Sequence, residues 1–198
     1  MNNDQIAILK QRLSDELVAH LPPLLDQNKP ADHLAAKNIS RAFSGFAIQK
    51  ILKLDSVTAA KAVVDDFDDN GLDAIHYHQA SKKLFLVQGK LKADEPFSQD
   101  EANAFLKGVK DLVNQHYDRF NKNVQDRQAE LDIALDDTGE IVLVVAHTAT
   151  AVSQHANTLG VYKVAADGTI VDVEILFANT LDVPAAARTV DLGIPDDG

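Results

Sequence analysis

The sequence contains no cysteine. A disulfide framework, a thiolate nucleophile and a thiolate metal site are therefore excluded, so any metal has to sit on oxygen or imidazole and any redox chemistry has to come from a cofactor. Basic charge is also scarce. Against 30 Asp+Glu stand 19 Lys+Arg, a formal net charge of -11 over 198 residues, which argues against a protein that slides on nucleic acid by neutralising phosphates. No stretch approaches the roughly 20 apolar residues of a membrane span. The N-terminus, Met1 to His20, lacks the basic region and unbroken apolar run of a signal peptide, so a cytoplasmic, soluble protein is expected. There is no internal repeat, P-loop, dinucleotide fingerprint or G-x-S-x-G elbow. What is present, 45% hydrophobic and 25% charged residues, fits one globular domain with at most a small appendage.

Along the chain, Ile6, Leu9, Leu13 and Leu17 recur at helical spacing and predict an amphipathic packing helix over about 4–20, closed by Pro22 and Pro23. A second helix is expected over 37–53 and a short third over 58–65. The period then becomes strand-like. Residues 72–78 and 84–90 read as two strands of a covered antiparallel hairpin. Ser98 and Glu101 form a capping box opening a long helix, whose apolar stripe from Ala102 to Phe120 runs for about five turns. Ile141 to Ala146 predicts a buried strand. Residues 151–165 suit a crossover helix, with Val161 to Ala165 as a hairpin arm the alternative. A strand at Ile170–Leu176 and a helix near Val183–Arg188 complete the expected order, which is that of an α/β fold with a mixed sheet flanked by helices.

One constellation carries chemistry. If the hairpin turn is centred on Ala80 and Ser81, paired positions sum to 161, so that Ile75 faces Leu86 and Asp73 faces Gln88, with Lys90 one step further on the same face. A carboxylate, an amide and an ammonium then converge at one end of the sheet. A hard divalent cation, Mg2+ or Mn2+, takes oxygen ligands, here Asp73, Gln88 or the Gly89 carbonyl. It lowers the pKa of a bound water, while Lys90 orients that water and stabilises a pentavalent phosphorus. The chemistry suited to the trio is phosphodiester hydrolysis.

At these residues the sequence resembles a family. Asp68 to Ile75 followed by Leu84 to Lys90 is similar to the catalytic hairpin of PD-(D/E)XK nucleases of the Mrr-like branch, in which Gln replaces the usual acid. With Ala42 to Ile48 upstream and Phe97-Ser98-Gln99 downstream, it resembles the N-terminal nuclease-like domain of abortive-infection phage-resistance (AIPR) proteins. The resemblance implies a restriction-endonuclease-like three-layer sandwich over 37–190, an N-terminal helical extension over 1–36 and a tail or linker over 191–198. It also implies Asp73, Gln88 and Lys90 as functional positions in a metal-dependent endonuclease of antiphage defence. Its partner would be nucleic acid, DNA first, bound weakly by this domain alone, with a C-terminal region to supply the affinity; an effector partner and a homo-oligomer are further expected partners.

Many nucleases of this kind add a Glu on the first core helix, yet residues 39–53 carry no acid and Gln49 is the only substitute there. Asp65, Asp66, Asp68 or Asp69 can replace it from the adjoining loop, although that acidic run reads first as a solvated loop. The rival reading is a catalytically weakened module of the same fold, used for interaction or sensing. His76 and His78 read as structural, on the face opposite Asp73, and no catalytic base or nucleophile is evident in the sequence near His147 and His155. The charge is unevenly spread: residues 82–127 hold 9 Lys+Arg against 7 Asp+Glu, whereas residues 128–198 hold 2 against 12. An anionic substrate near the hairpin is therefore compatible with the overall charge.

Overall fold

In the computed structural model, the described residues are 3–92, 98–148 and the short segments 163–164, 170–172 and 176–177. The apolar spacing read from the N-terminus does form a helix, α1 (Asn3–Glu16). A 3-10 turn over Val18–His20 follows it, so the helix is shorter than expected. Leu9, Leu13 and Leu17 are fully buried, each worth about 2 kcal/mol of apolar burial. They pack against α2 (Ala31–Leu52) and α3 (Ser56–Lys61) in one core. Gly45 permits this closeness, because a Cβ there would lie 3.0 Å from Val63 and 3.2 Å from the Ala59 carbonyl.

The hairpin consists of β1 (Ala74–His78) and β2 (Lys83–Lys90). Its register runs Ala74 to Val87, Ile75 to Leu86 and Tyr77 to Leu84, the parity expected from an even loop. β2 then pairs in parallel with β3 (Glu140–His147), from Lys83 opposite Glu140 to Lys90 opposite His147. A parallel neighbour demands a long crossover, supplied here by α4 (Gln99–Val113), α5 (Lys122–Gln125) and α6 (Gln128–Asp137). The last two helices carried no clear signal in the sequence.

Alternate side chains of the strands enter two separate cores. Phe85, Val87, Val142 and Val144 meet α1, α2 and α3. Leu84, Leu86, Ile141 and Leu143 meet the stripe of α4 and the α5 and α6 residues Val124, Leu131 and Ala134. The molecule is thus a mixed α/β structure with a small sheet between two helical layers, as expected at that level. Among the described residues no helix is long and apolar enough to cross a membrane.

The capping box is present: the Ser98 hydroxyl accepts from Glu101 N–H, and the Glu101 carboxylate accepts from Ser98 N–H at 2.8 Å. The expected five-turn helix is corrected at its far end. Gln115 turns left-handed (φ 58°), and bonds from His116 N–H to Asp111 O and from Gln115 N–H to Leu112 O close a C-terminal cap after Val113. Tyr117 and Phe120 remain in the same core through a 3-10 turn.

On the far edge of β3, the expected helix over 151–165 is corrected where it can be seen. Lys163–Val164 is a strand, β4, antiparallel to β3 and to β5 (Ile170–Asp172), which is the hairpin-arm alternative. β6 (Leu176–Phe177) pairs in parallel with the end of β3. The rest of 151–165 and the helix expected near 183–188 lie outside the described residues.

Candidate metal centre

Asp73 directly precedes β1 and is held by main-chain bonds on three sides. Its N–H donates to Val87 O at 2.9 Å, and its own carbonyl accepts from Val64 N–H at 2.9 Å and Asp65 N–H at 3.0 Å. Its carboxylate Oδ2 accepts from Gly89 N–H at 2.6 Å. Residues 62–65 therefore run along the outer edge of β1, which carries Asp65 to Asp73.

The chain returns through a turn in which Asn70 and Gly71 both have positive φ, the combination that makes Asn-Gly a tight-turn sequence. Asp69 O accepts from Leu72 N–H at 3.2 Å and Asp69 Oδ1 from Gly71 N–H at 2.8 Å. The turn nests on α4. A Cβ on Gly71 would lie 2.8 Å from the Ala104 carbonyl group, and one on Gly108 would lie 2.1 Å from Asn70 O.

These constraints bring Asp65, Asp69 and Asp73 together, each offering one oxygen within 4.8 Å of the others. Two ligands facing across a hard cation with bonds of about 2.1–2.5 Å stand roughly 4.2–5 Å apart, so the spacing fits one ion. The expectation of a solvated acidic loop is corrected for its first half: Asp65 and Asp66 are 6% and 4% exposed. Lys37 Nζ reaches Asp65 Oδ1 at 2.5 Å, and Arg41, fully buried, donates from Nε to Asp65 O at 2.7 Å. Burial, followed by the charges of Asp65 and Asp69, lifts the Asp73 carboxyl well above the usual range against the bond from Gly89. Asp69 is pushed up to about 6, first by burial and then, against the Gly71 bond, by Asp65. Partly buried carboxylates this close hold back protons until a cation replaces them.

Gln88 follows Val87, the partner of Ala74, and shares the alternating face of Leu84 and Leu86. Its Oε1 is buried and accepts no hydrogen bond from a described residue, an oxygen with spare coordinating capacity. Lys90, on that face too, forms an ion pair with Glu101 of α4. Gly89 has a packing reason for being glycine: a Cβ would stand 3.3 Å from Phe43 of α2. Gln49 donates to Ser56 at 3.0 Å, joining α2 to α3. His76 is held below its usual range, first by burial and then by His78, whose Nδ1 lies 2.7 Å from Ser81 Oγ. His147, in register with Lys90, is buried, which pushes its imidazole down to about 4.

Asp65 and Asp69 were visible in the sequence only as two of four acids in one run that could replace the missing helix Glu. The signals that could have selected them are the Asn70-Gly71 turn, which aims Asp69 back, and the Lys37/Arg41 pair one helical turn apart.

No family model, no curated protein and no solved structure matches the chain.

Proposed function

We propose that the chain is a metal-dependent nuclease domain of restriction-endonuclease-like architecture, hydrolysing phosphodiester bonds in bacterial antiphage (abortive-infection) defence. The observation that carries this reading is the convergence of Asp65, Asp69 and Asp73; Gln88, next to the Ala74–Val87 pair in the hairpin register, has a buried Oε1 that accepts no hydrogen bond from a described residue. Oxygen ligands without sulfur or imidazole suit Mg2+ or Mn2+. Asp65, Asp69 and Asp73 would hold the ion and Gln88 would complete its shell; when bound, it supplies an acidified water and neutralises charge on the phosphate.

The chain's own residues do the remaining work. Gly89 N–H and the Val64 and Asp65 N–H groups fix Asp73, so its carboxylate needs little reorganisation. Lys37 offsets part of the charge on Asp65. Lys90, with 16% of its side chain exposed, turns from Glu101 toward the attacking water and the phosphate.

A second reading, a weakened nuclease fold serving as an interaction or sensing module, is favoured by that same Lys90–Glu101 pair, which occupies the ammonium the reaction needs. Incubation of plasmid, linear DNA and RNA with Mg2+ or Mn2+ separates the two. Cleavage by the wild-type chain that is lost in Asp73→Asn and Lys90→Ala supports the nuclease. Cleavage surviving both substitutions identifies a contaminant, and binding without cleavage selects the module.

A further inference from the structure

Phe67 lies at the apex of the loop between two of the three clustered carboxylates, two residues from Asp65 and two from Asp69. It is 60% exposed, whereas Phe43, Phe46, Phe85, Phe105 and Phe120 are all at 5% or below. Leaving a phenylalanine in water forfeits most of the stabilisation its burial gives elsewhere in this fold, so the position has to be explained.

Looseness of the loop is not the explanation. The buried Asp66 carboxylate accepts from Phe67 N–H through Oδ1 and from Leu25 N–H through Oδ2, both at 2.8 Å. One carboxylate thereby pins the base of the Phe67 side chain and draws in a second exposed apolar residue, Leu25, which is 44% exposed. Phe67 and Leu25 are thus two exposed apolar residues tied to one carboxylate, a small ledge on the loop that carries Asp65 and Asp69. Two residues of chain reach at most ~7 Å, so the Phe67 backbone lies within that reach of the Asp65 and Asp69 backbones.

We propose that Phe67 is a base-stacking residue that selects strands with an unpaired nucleotide next to the scissile phosphate. This rests on the phosphodiester reading above and adds the strand type to it. The ledge is flanked by Asp66 and Asp68, whose charges repel a phosphate but leave the neutral face of a base unaffected. An aromatic face exposed on one side stacks any base without regard to sequence. A base inside a duplex has both faces covered, so only a single strand, a frayed end or a mismatch can present one.

The test uses the full chain carrying Asp73→Asn to suppress cleavage, with Mn2+ and fluorescent oligonucleotides containing 2-aminopurine, single-stranded or fully paired. The expected result is quenching of the single-stranded probe, with affinity falling roughly 5- to 150-fold in Phe67→Ala, retained in Phe67→Trp, and with thermal stability unchanged by either substitution. Equal affinity of Phe67→Ala and its parent for the single strand overturns the stacking role while leaving the nuclease reading intact. So does a loss shared equally by single strand and duplex, or a change of oligomeric state in place of a change of affinity. Failure of the wild-type chain to bind or cleave any of the nucleic acids overturns both.

Discussion

Asn70 donates its side-chain amide to Asp111 Oδ2 at 2.8 Å, joining the turn after Asp69 to the fourth turn of α4 across 41 residues of chain. Lys107 closes the triangle, donating to Asn70 Oδ1 at 2.6 Å and to Asp111 Oδ2 at 3.2 Å, and Arg119 bonds the other oxygen of the same carboxylate. Asp111 is only 5% exposed. Its carboxyl is held well below the usual range, first by the Asn70 bond and then, against its burial, by Arg119, Lys107 and His116. The most densely bonded acid among the described residues is thus a brace for the loop that positions Asp69.

Removing the brace with Asp111→Ala should cost about 2 kcal/mol, because Asn70 and Arg119 lose their acceptor at once. Urea denaturation measures this. If the brace also positions Asp69, Mn2+ affinity falls in this variant by more than it does in Lys122→Ala. Lys122 pairs with Asp126 in an exposed ion pair and serves as the control.

The carboxylates predict two opposite pH dependences. Asp111 titrates lower in the folded chain than in the unfolded one, so its stabilisation is complete above about pH 4 and disappears as pH falls through its depressed value. Asp69, pushed up to about 6, and Asp73, raised well above the usual range, bind protons more tightly when folded. Both contributions are present at low pH; that of Asp69 is lost as pH rises from about 4 through 6, and that of Asp73 as pH rises through its own raised value. Without divalent cations, thermal stability should therefore peak on the acid side of neutrality. Mn2+ at pH 7.5 should raise the Tm, and Asp69→Asn should raise it by about 2–4 °C without cation while abolishing the Mn2+ response. A Tm flat between pH 5 and 7.5 would contradict the burial of the cluster.

The hairpin register was legible from the sequence because it depends on parity, which an even loop between alternating strands fixes locally. The capping box was legible for the same reason, its two partners being three residues apart. The acidic run was not legible. Whether Asp65 is buried is decided by Lys37 and Arg41, 28 and 24 residues away, and Asp66 by Leu25, 41 residues away. The end of α4 was hidden because its left-handed residue is Gln115 rather than glycine, with apolar spacing continuing past the break. At Val164 the sequence supported both helix and strand, and pairing with Ile141 on β3 determines the strand. Local chemistry could be read from sequence; burial set by distant partners could not.

The contact between α4 and the Asn70-Gly71 turn should tolerate no added methyl. In Gly108→Ala the new Cβ would sit 2.1 Å from Asn70 O, an overlap that side-chain motion cannot relieve because the clashing atom is backbone. A loss of about 3 kcal/mol is expected, with Asp69 displaced from Asp65 and Asp73. Gly139→Ala is the contrast: its nearest neighbour would be Lys82 O at 3.9 Å, and its φ is not positive, so its effect should remain within about 0.5 kcal/mol.

Lys90 and Glu101 test whether structure and chemistry share one ammonium. Glu101 also accepts from Ser98 N–H and Ser98 Oγ, and Gln can keep those bonds in a capping box. Glu101→Gln therefore removes the charge and little else. Because the pair is mostly buried, with side chains 16% and 28% exposed, breaking it from either side should cost about 1–3 kcal/mol. The double variant Lys90→Met/Glu101→Gln should recover part of that loss in a denaturation cycle. Nuclease activity should follow a different pattern. It should disappear in every variant lacking Lys90, however stable, and persist in Glu101→Gln, where the ammonium has one competitor fewer. Cleavage retained in the stabilised double variant would show that Lys90 serves the fold alone.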